Sequence, residues 1–177
     1  LSDLHLKQGS YNMLIARIEP DNSISTILEG LVNSNTNKKF LVIGNTANKY
    51  GKYIKKKFID ERIIYLGYVS DRHKLDVLRQ NAHLYFHGHS VGGTNPSLLE
   101  AMSSKALICA HNNEFNKSVL EKDAFYFNCS KCITSLLNKE SIEERDSFTK
   151  NNIQKIKNKY SWDKILDEYE KFLLSKL

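Results

Sequence analysis

Short, largely apolar runs alternate with helix-period segments along nearly the whole chain. Asn12 to Ile18, Lys39 to Ile43, Arg62 to Leu66, Leu84 to Phe86, Ala106 to Ala110 and Ala124 to Phe127 are brief and unalternating, as in strands covered on both faces. Pro20 to Asn33 predicts a helix with Ile24, Ile27, Leu28 and Leu31 on one face. A basic helix is expected from Ala47 to Phe58. Ser70 or Asp71 caps a helix carrying Leu75, Val77 and Leu78. Asn95 caps the next, with Pro96 at its first position, where a missing N–H costs nothing. Leu98, Leu99 and Met102 face a core from that helix. A short helix follows at Glu114 to Glu121, and everything from Ser130 on reads as helix. Tyr160, Trp162, Ile165 and Tyr169 are assigned to the helical core of that tail. Residues 1–10 read as a polar linker and 130–177 as a helical tail packing on the domain.

Strand and helix in strict alternation predict an α/β fold, a doubly wound parallel sheet of Rossmann-like type, in one domain over 1–177. Its connections are expected to be right-handed. In such sheets ligands sit outside the C-terminal ends of the strands. Arg17, Gly44-Asn45, Gly67-Tyr68-Val69 and the run His87 to Asn95 all fall there. Gly88, Gly92 and Gly93 permit backbone conformations that other residues resist. The helix start behind them offers unpaired N–H groups and a positive dipole end, hence an anion site. Ser90, Thr94, Asn95 and Ser97 add polar groups. Glu100, one turn into that helix, repels phosphate but is suited to accept hydrogen bonds from the hydroxyls of a ribose. The plainer alternative is a tight turn at Gly92-Gly93 and a solvated Glu100. No G-x-G-x-x-G follows the first strand and no G-x-x-x-x-G-K-[ST] is present, which argues against a dinucleotide cofactor and a P-loop.

Composition changes this picture little. The chain has 177 residues, 41% hydrophobic and 26% charged, enough for a sizeable core. Its net charge of +6 is concentrated in stretches such as Lys55-Lys56-Lys57, favouring anionic ligands only weakly. No nucleic-acid-binding signature stands out, and no apolar run is long enough to span a bilayer. The start at Leu1 suggests a piece of a longer protein. An odd cysteine count suggests a reducing compartment. Cys129-Ser130-Lys131-Cys132 has the spacing of a redox pair, but the order of elements is wrong for a small redox fold, and one pair cannot close a zinc site. Cys109 reads as strand core. His87-Gly88-His89 is better suited to contact a ligand than to hold a metal, and the remaining histidines read as surface or core.

Ile15-Ala16-Arg17-Ile18, Tyr65-Leu66-Gly67-Tyr68-Val69-Ser70 and Asn95-Pro96-Ser97-Leu98-Leu99-Glu100-Ala101-Met102 resemble the C-terminal, donor-binding half of retaining glycosyltransferases of family 4. The resemblance runs from Asn12 to Leu177. The form Gly92-Gly93-Thr94-Asn95-Pro96-Ser97 is similar to a subgroup that includes bacterial rhamnosyltransferases. It implies the GT-B arrangement, a nucleotide-diphosphate sugar as substrate, no cofactor, no metal and no nucleic acid. It also implies transfer with retention to a polysaccharide or lipid-linked acceptor held by a missing N-terminal domain. Arg17 matches the arginine that neutralises the diphosphate, and Glu100 the glutamate that binds the donor ribose. Gly92 stands where the family has its first glutamate, and Asn22 or Ser23 where it has a lysine, so main-chain N–H groups at Gly93 to Asn95 are expected to carry more of the charge. Val69 matches the position whose backbone meets the base. The donor-binding set expected is then Gly44, Asn45, Tyr68, Val69, His87, His89, Ser90, Gly92, Gly93, Thr94, Asn95, Leu99 and Glu100, with Arg17 and Glu100 carrying the chemistry. This piece alone should bind donor and turn over little. A cytoplasmic location is expected, at the inner face of the membrane if the basic helix touches it. A non-catalytic nucleotide-binding module, or another GT-B enzyme such as a nucleotide-sugar epimerase, remains an alternative.

Overall fold

The alternation of apolar strands and helices closes into one parallel sheet in a computed structural model that describes residues 6–139 and 141–175. Six strands, β1 (Tyr11–Ile15), β2 (Lys39–Ile43), β3 (Ile63–Gly67), β4 (Tyr85–His87), β5 (Ile108–His111) and β6 (Phe125–Phe127), lie in the order β3-β2-β1-β4-β5-β6. All neighbours are parallel. The order reverses between β1 and β4, and that switch point opens a crevice at the strand ends.

Side-chain alternation along the strands divides the core into two layers. Leu14, Phe40, Val42, Phe86 and Cys109 face one side. There they meet α1 (Ile24–Val32), α2 (Lys49–Lys57) and α6 (Ser130–Leu137) through Ile24, Ile27, Leu28, Leu31, Ile54 and Ile133. Tyr11, Met13, Leu41, Tyr85 and Ile108 face the other side, against Leu78, Leu98, Met102 and Val119. These belong to α3 (Arg72–Asn81), α4 (Pro96–Ser103) and α5 (Glu114–Leu120). Leu99 is only half-buried and packs at the margin of this layer. Gly30 is required where α1 meets α6, because an added Cβ would fall 2.6 Å from Ile133.

The tail departs from a simple helical run. A break between α6 and α7 (Arg145–Lys159) lets α7 turn onto the opposite layer. Arg145 donates to the carbonyls of Ala82 and His83, and Lys155 pairs with Asp123 at 2.6 Å. The last helix, α8 (Trp162–Leu174), was expected to pack as core and does not. Tyr160 packs on the second layer, but Trp162 is 76% exposed, and Leu166 and Tyr169 are exposed too. Their apolar face has no layer of this sheet beneath it. At the other end, residues 1–5 of the expected linker lie outside the described residues. The rest is docked rather than free: Leu6 packs on the second layer, and Gly9 N–H donates to Asn81 O at 2.8 Å.

Candidate functional site

A cleft of about 710 Å³ opens at the C-terminal ends of β1, β2 and β3, beside α3 and α4. That volume is in the range of pockets that enclose small organic ligands. Three strand ends meet closely here. An added Cβ on Gly44 would lie 2.1 Å from Ala16 O, and Gly44 N–H donates to Gly67 O at 2.9 Å. Only a glycine lets the end of β2 approach β1 this way. Gly88 fills the same role after β4, where a Cβ would meet Asn22 O at 2.1 Å.

Arg17 stands in the cleft wall on the loop after β1, and its side chain is 77% exposed. Its backbone is fixed by Asn22, whose Nδ2 donates to Arg17 O at 2.7 Å. Asn22 therefore positions the loop from a buried site and adds no charge. Ser23 takes a left-handed conformation where the 3-10 turn Pro20–Asn22 passes into α1. Asn48 donates to Ile18 O at 2.9 Å and caps α2 by accepting from Gly51 N–H at 2.6 Å. Asn45, Tyr68 and Val69 line the opposite wall, with Tyr68 largely exposed.

Glu100 faces the cleft from α4, and its carboxylate accepts from Arg79 at 2.6 Å. The same guanidinium donates to Asp76 Oδ1 at 2.9 Å. Arg79 is 3% exposed while Glu100 is 53% exposed, so a buried cation holds a carboxylate that still reaches solvent. Beside it, the Tyr85 hydroxyl and Ser97 Oγ are hydrogen-bonded at 3.1 Å. A carboxylate clamped on one side by a buried arginine and open on the other is preorganised to accept hydroxyl hydrogen bonds. Asp76, Arg79 and Asn48 were not expected from the sequence. One signal for Arg79 was present: it shares the apolar face of α3 with Leu75 and Leu78, where a charged residue needs a partner.

The histidines separate. His89 lines the cleft, with its carbonyl held by Asn113 and Asn116 at 2.9 and 3.1 Å. His87 does not reach the cleft. It is buried below His89, the two rings stacked with centroids 4.4 Å apart. Burial first, and the His89 ring next, push the His87 imidazole down to about 3. Burial also lowers His89, so both rings are neutral near pH 7.

The glycine loop is placed differently from expectation. Ser90 is spent on structure, its N–H and Oγ both donating to Asp21 O, at 3.0 and 2.7 Å. Gly92, Gly93, Thr94 and Asn95 are not among the residues lining the cleft. Asn95 Oδ1 accepts from Ser97 N–H at 2.9 Å, and Asn95 O accepts from Leu98 and Leu99, so the first turn of α4 is already capped. Gly92 has φ +109 with open space around it, consistent with a glycine turn in an exposed loop. Among the described residues, no three His, Cys, Asp or Glu side chains are grouped to hold a metal, and no helix is long and apolar enough to cross a membrane.

The family model for glycosyl transferases group 1 matches residues 7–155, and the chain belongs to that family. No curated protein matches it by sequence. Among solved structures, it is similar to Anabaena HepE in complex with UDP and glucose, with a TM-score of 0.83 and 14% identity over 98% of this chain and 50% of that one. It is similar to TarM of S. aureus, with a TM-score of 0.72 and 21% identity over 94% of this chain and 36% of that one. The C-terminal domain of the group 1 glycosyl transferase LpcC from Francisella tularensis matches over 91% of both chains, with 18% identity and a TM-score of 0.72. The chain thus spans about half the length of HepE and nearly all of the LpcC domain. These likenesses establish a GT-B type Rossmann-like fold.

Proposed function

We propose that this member of the glycosyl transferases group 1 family binds a nucleotide-diphosphate sugar in the cleft, and that the whole protein transfers the sugar with retention to a glycan or lipid-linked acceptor. The observation that carries the reading is the pairing of an exposed cation with a clamped carboxylate across one cleft: Arg17 on the β1 loop and Glu100 on α4. The diphosphate lies by Arg17, the ribose hydroxyls donate to Glu100, and the base lies along Tyr68 and Val69. As the bond between the anomeric carbon and the diphosphate oxygen breaks, negative charge grows on the leaving group. The Arg17 guanidinium would stabilise that charge more in the transition state than in the ground state. No cation stands at Asn22, so the N–H groups of Gly93 to Asn95 are expected to approach the diphosphate when donor binds, with Arg72 the other cation lining the cleft. HepE with bound UDP-glucose makes a uridine donor the first to test. A 6-deoxyhexose such as rhamnose is the sugar suggested by the Gly92 to Ser97 loop. The free thiols fit a cytoplasmic setting.

Calorimetry with UDP, dTDP, GDP and ADP tests the reading. One nucleotide is expected to bind at micromolar to millimolar Kd, and Arg17→Ala to weaken it about tenfold, as for loss of one charge-assisted contact. Failure of all four to bind a folded chain would overturn it.

A further inference from the structure

Five helices carry an oxygen-bearing N-cap that accepts a backbone N–H: Asn48, Asp71, Asn95, Asn113 and Ser161. At the same place on α6 stands Cys129, which accepts none. Its sulfur instead faces Cys132, with Sγ to Sγ at 3.3 Å. Both side chains are exposed, whereas the third cysteine, Cys109, is buried in β5. The sequence made this pair look incidental because the elements around it do not form a small redox fold. Thiol chemistry depends on the local arrangement, and the arrangement is present: two accessible thiols in contact across the first turn of a helix. The Asn128 backbone first, and the Cys129 thiol next, lower the Cys132 thiol from its ordinary value. Burial pushes the Cys109 thiol up, leaving it inert. The pair sits past β6, the sheet edge farthest from the β3 side of the cleft.

We propose that Cys129 and Cys132 form a reversible dithiol–disulfide site that reacts with low-molecular-weight disulfides, separate from the nucleotide cleft. The Cys132 thiolate attacks one sulfur of the small disulfide, whose S–S bond breaks and releases one thiolate with the bond's electron pair. The Cys129 thiolate then attacks the Cys132 sulfur, forming the internal S–S bond and releasing the second small thiolate. The protons lost by the two cysteines end on the two released thiols. The protein pair is oxidised by two electrons and the small disulfide is reduced by two. Closing the bond brings the sulfurs to about 2 Å, a short approach from their present contact.

The test is incubation of the folded chain with glutathione disulfide, followed by alkylation and peptide mass mapping. Wild type is expected to gain a Cys129–Cys132 disulfide, removed by dithiothreitol, while Cys109 is alkylated only after unfolding. Cys129→Ser is expected to trap glutathione on Cys132, since the resolving thiol is gone. Cys132→Ser is expected to take up glutathione several-fold more slowly at neutral pH. Stable glutathione on both cysteines of wild type without the internal bond would overturn the proposal. So would alkylation of both thiols at the rate of the urea-unfolded chain. Neither readout depends on nucleotide binding, so this site and the cleft stand or fall separately.

Discussion

Two regions of the molecule bury a cation between two carboxylates, and they differ in what they leave open. At the cleft, Arg79 joins Asp76 on α3 to Glu100 on α4, and Glu100 remains half exposed. On the same face of the sheet, past the end of α5, Lys155 of α7 joins Asp123 and Glu121. There Asp123 is 5% exposed and also accepts from Asn151 at 2.8 Å, while Asn152 donates to its backbone carbonyl. Burial alone would raise Asp123, but hydrogen bonds from Asn151 and Lys155 outweigh it and hold it below its usual range. The second cluster also reaches solvent, at Glu121, which is 47% exposed, but that carboxylate is held by Lys159 as well as Lys155 and lines no part of the cleft, so the cluster fastens a helix to the sheet. The first is closed toward the core and open toward the cleft. A buried ion pair is weak evidence of stability in itself; what its exposed carboxylate faces, a cleft or a second lysine, is what distinguishes a binding group from a fastener.

The sharpest way to break this comparison is to remove each cation. Lys155→Met leaves the buried Asp123 carboxylate without its cation and should cost more, about 3–5 kcal/mol, while nucleotide affinity of the folded fraction stays unchanged. Arg79→Ala leaves Glu100 without its clamp and should cost about 1.5–3 kcal/mol, for lost hydrogen bonds to charged groups, since Asp76 and Glu100 are both half exposed and stay solvated. Nucleotide affinity should fall with it, and Arg79→Lys should restore stability better than affinity, because an ammonium pairs with a carboxylate but lacks the planar fork that sets its direction. Urea unfolding and calorimetry on the same samples separate the two effects. Equal loss of affinity in both variants would erase the distinction.

Acid should expose a further asymmetry beneath the cleft. His87 titrates from about 3 when folded against 6.5 when free, so the unfolded chain binds the extra proton between those values. Stability is therefore unaffected by this group above pH 6.5 and falls as pH drops toward 3, where the loss reaches a few kcal/mol at about 1.4 per unit. His87→Phe should flatten the acid limb of a stability–pH curve measured by urea unfolding over that range. An unchanged limb would show that other groups control acid unfolding.

The smallest effect sharpens the comparison most. Glu100→Gln should leave the fold within about 1 kcal/mol of wild type and weaken a ribonucleotide about tenfold through loss of a charge-assisted hydrogen bond. The corresponding 2′-deoxynucleotide should be less affected. Equal weakening of both would place Glu100 away from the ribose.

The fold was largely legible because its signals are local. Lys39 to Ile43 runs as expected, and Asp71, Asn95 and Pro96 begin their helices as their chemistry requires. The cleft was legible only in part. Arg17 and Glu100 announce themselves by residue type and position, but Arg79 does not, since its meaning depends on a residue of another helix 21 positions away. The end of the chain misled for the opposite reason. Trp162 and Tyr169 have the spacing of a core face, and periodicity shows that a face is apolar without showing whether anything covers it.

The sequence by itself determined the parallel sheet and most of the helix starts, because hydrophobic period and capping act over a few residues. Tertiary structure alone decided that His87 lies beneath His89, that Ser90 and Asn22 serve the backbone rather than a ligand, and that two cysteines set aside as incidental touch. Each of those outcomes depends on which atoms meet across the fold, and hydrogen-bonding capacity spent on one partner is not available to another.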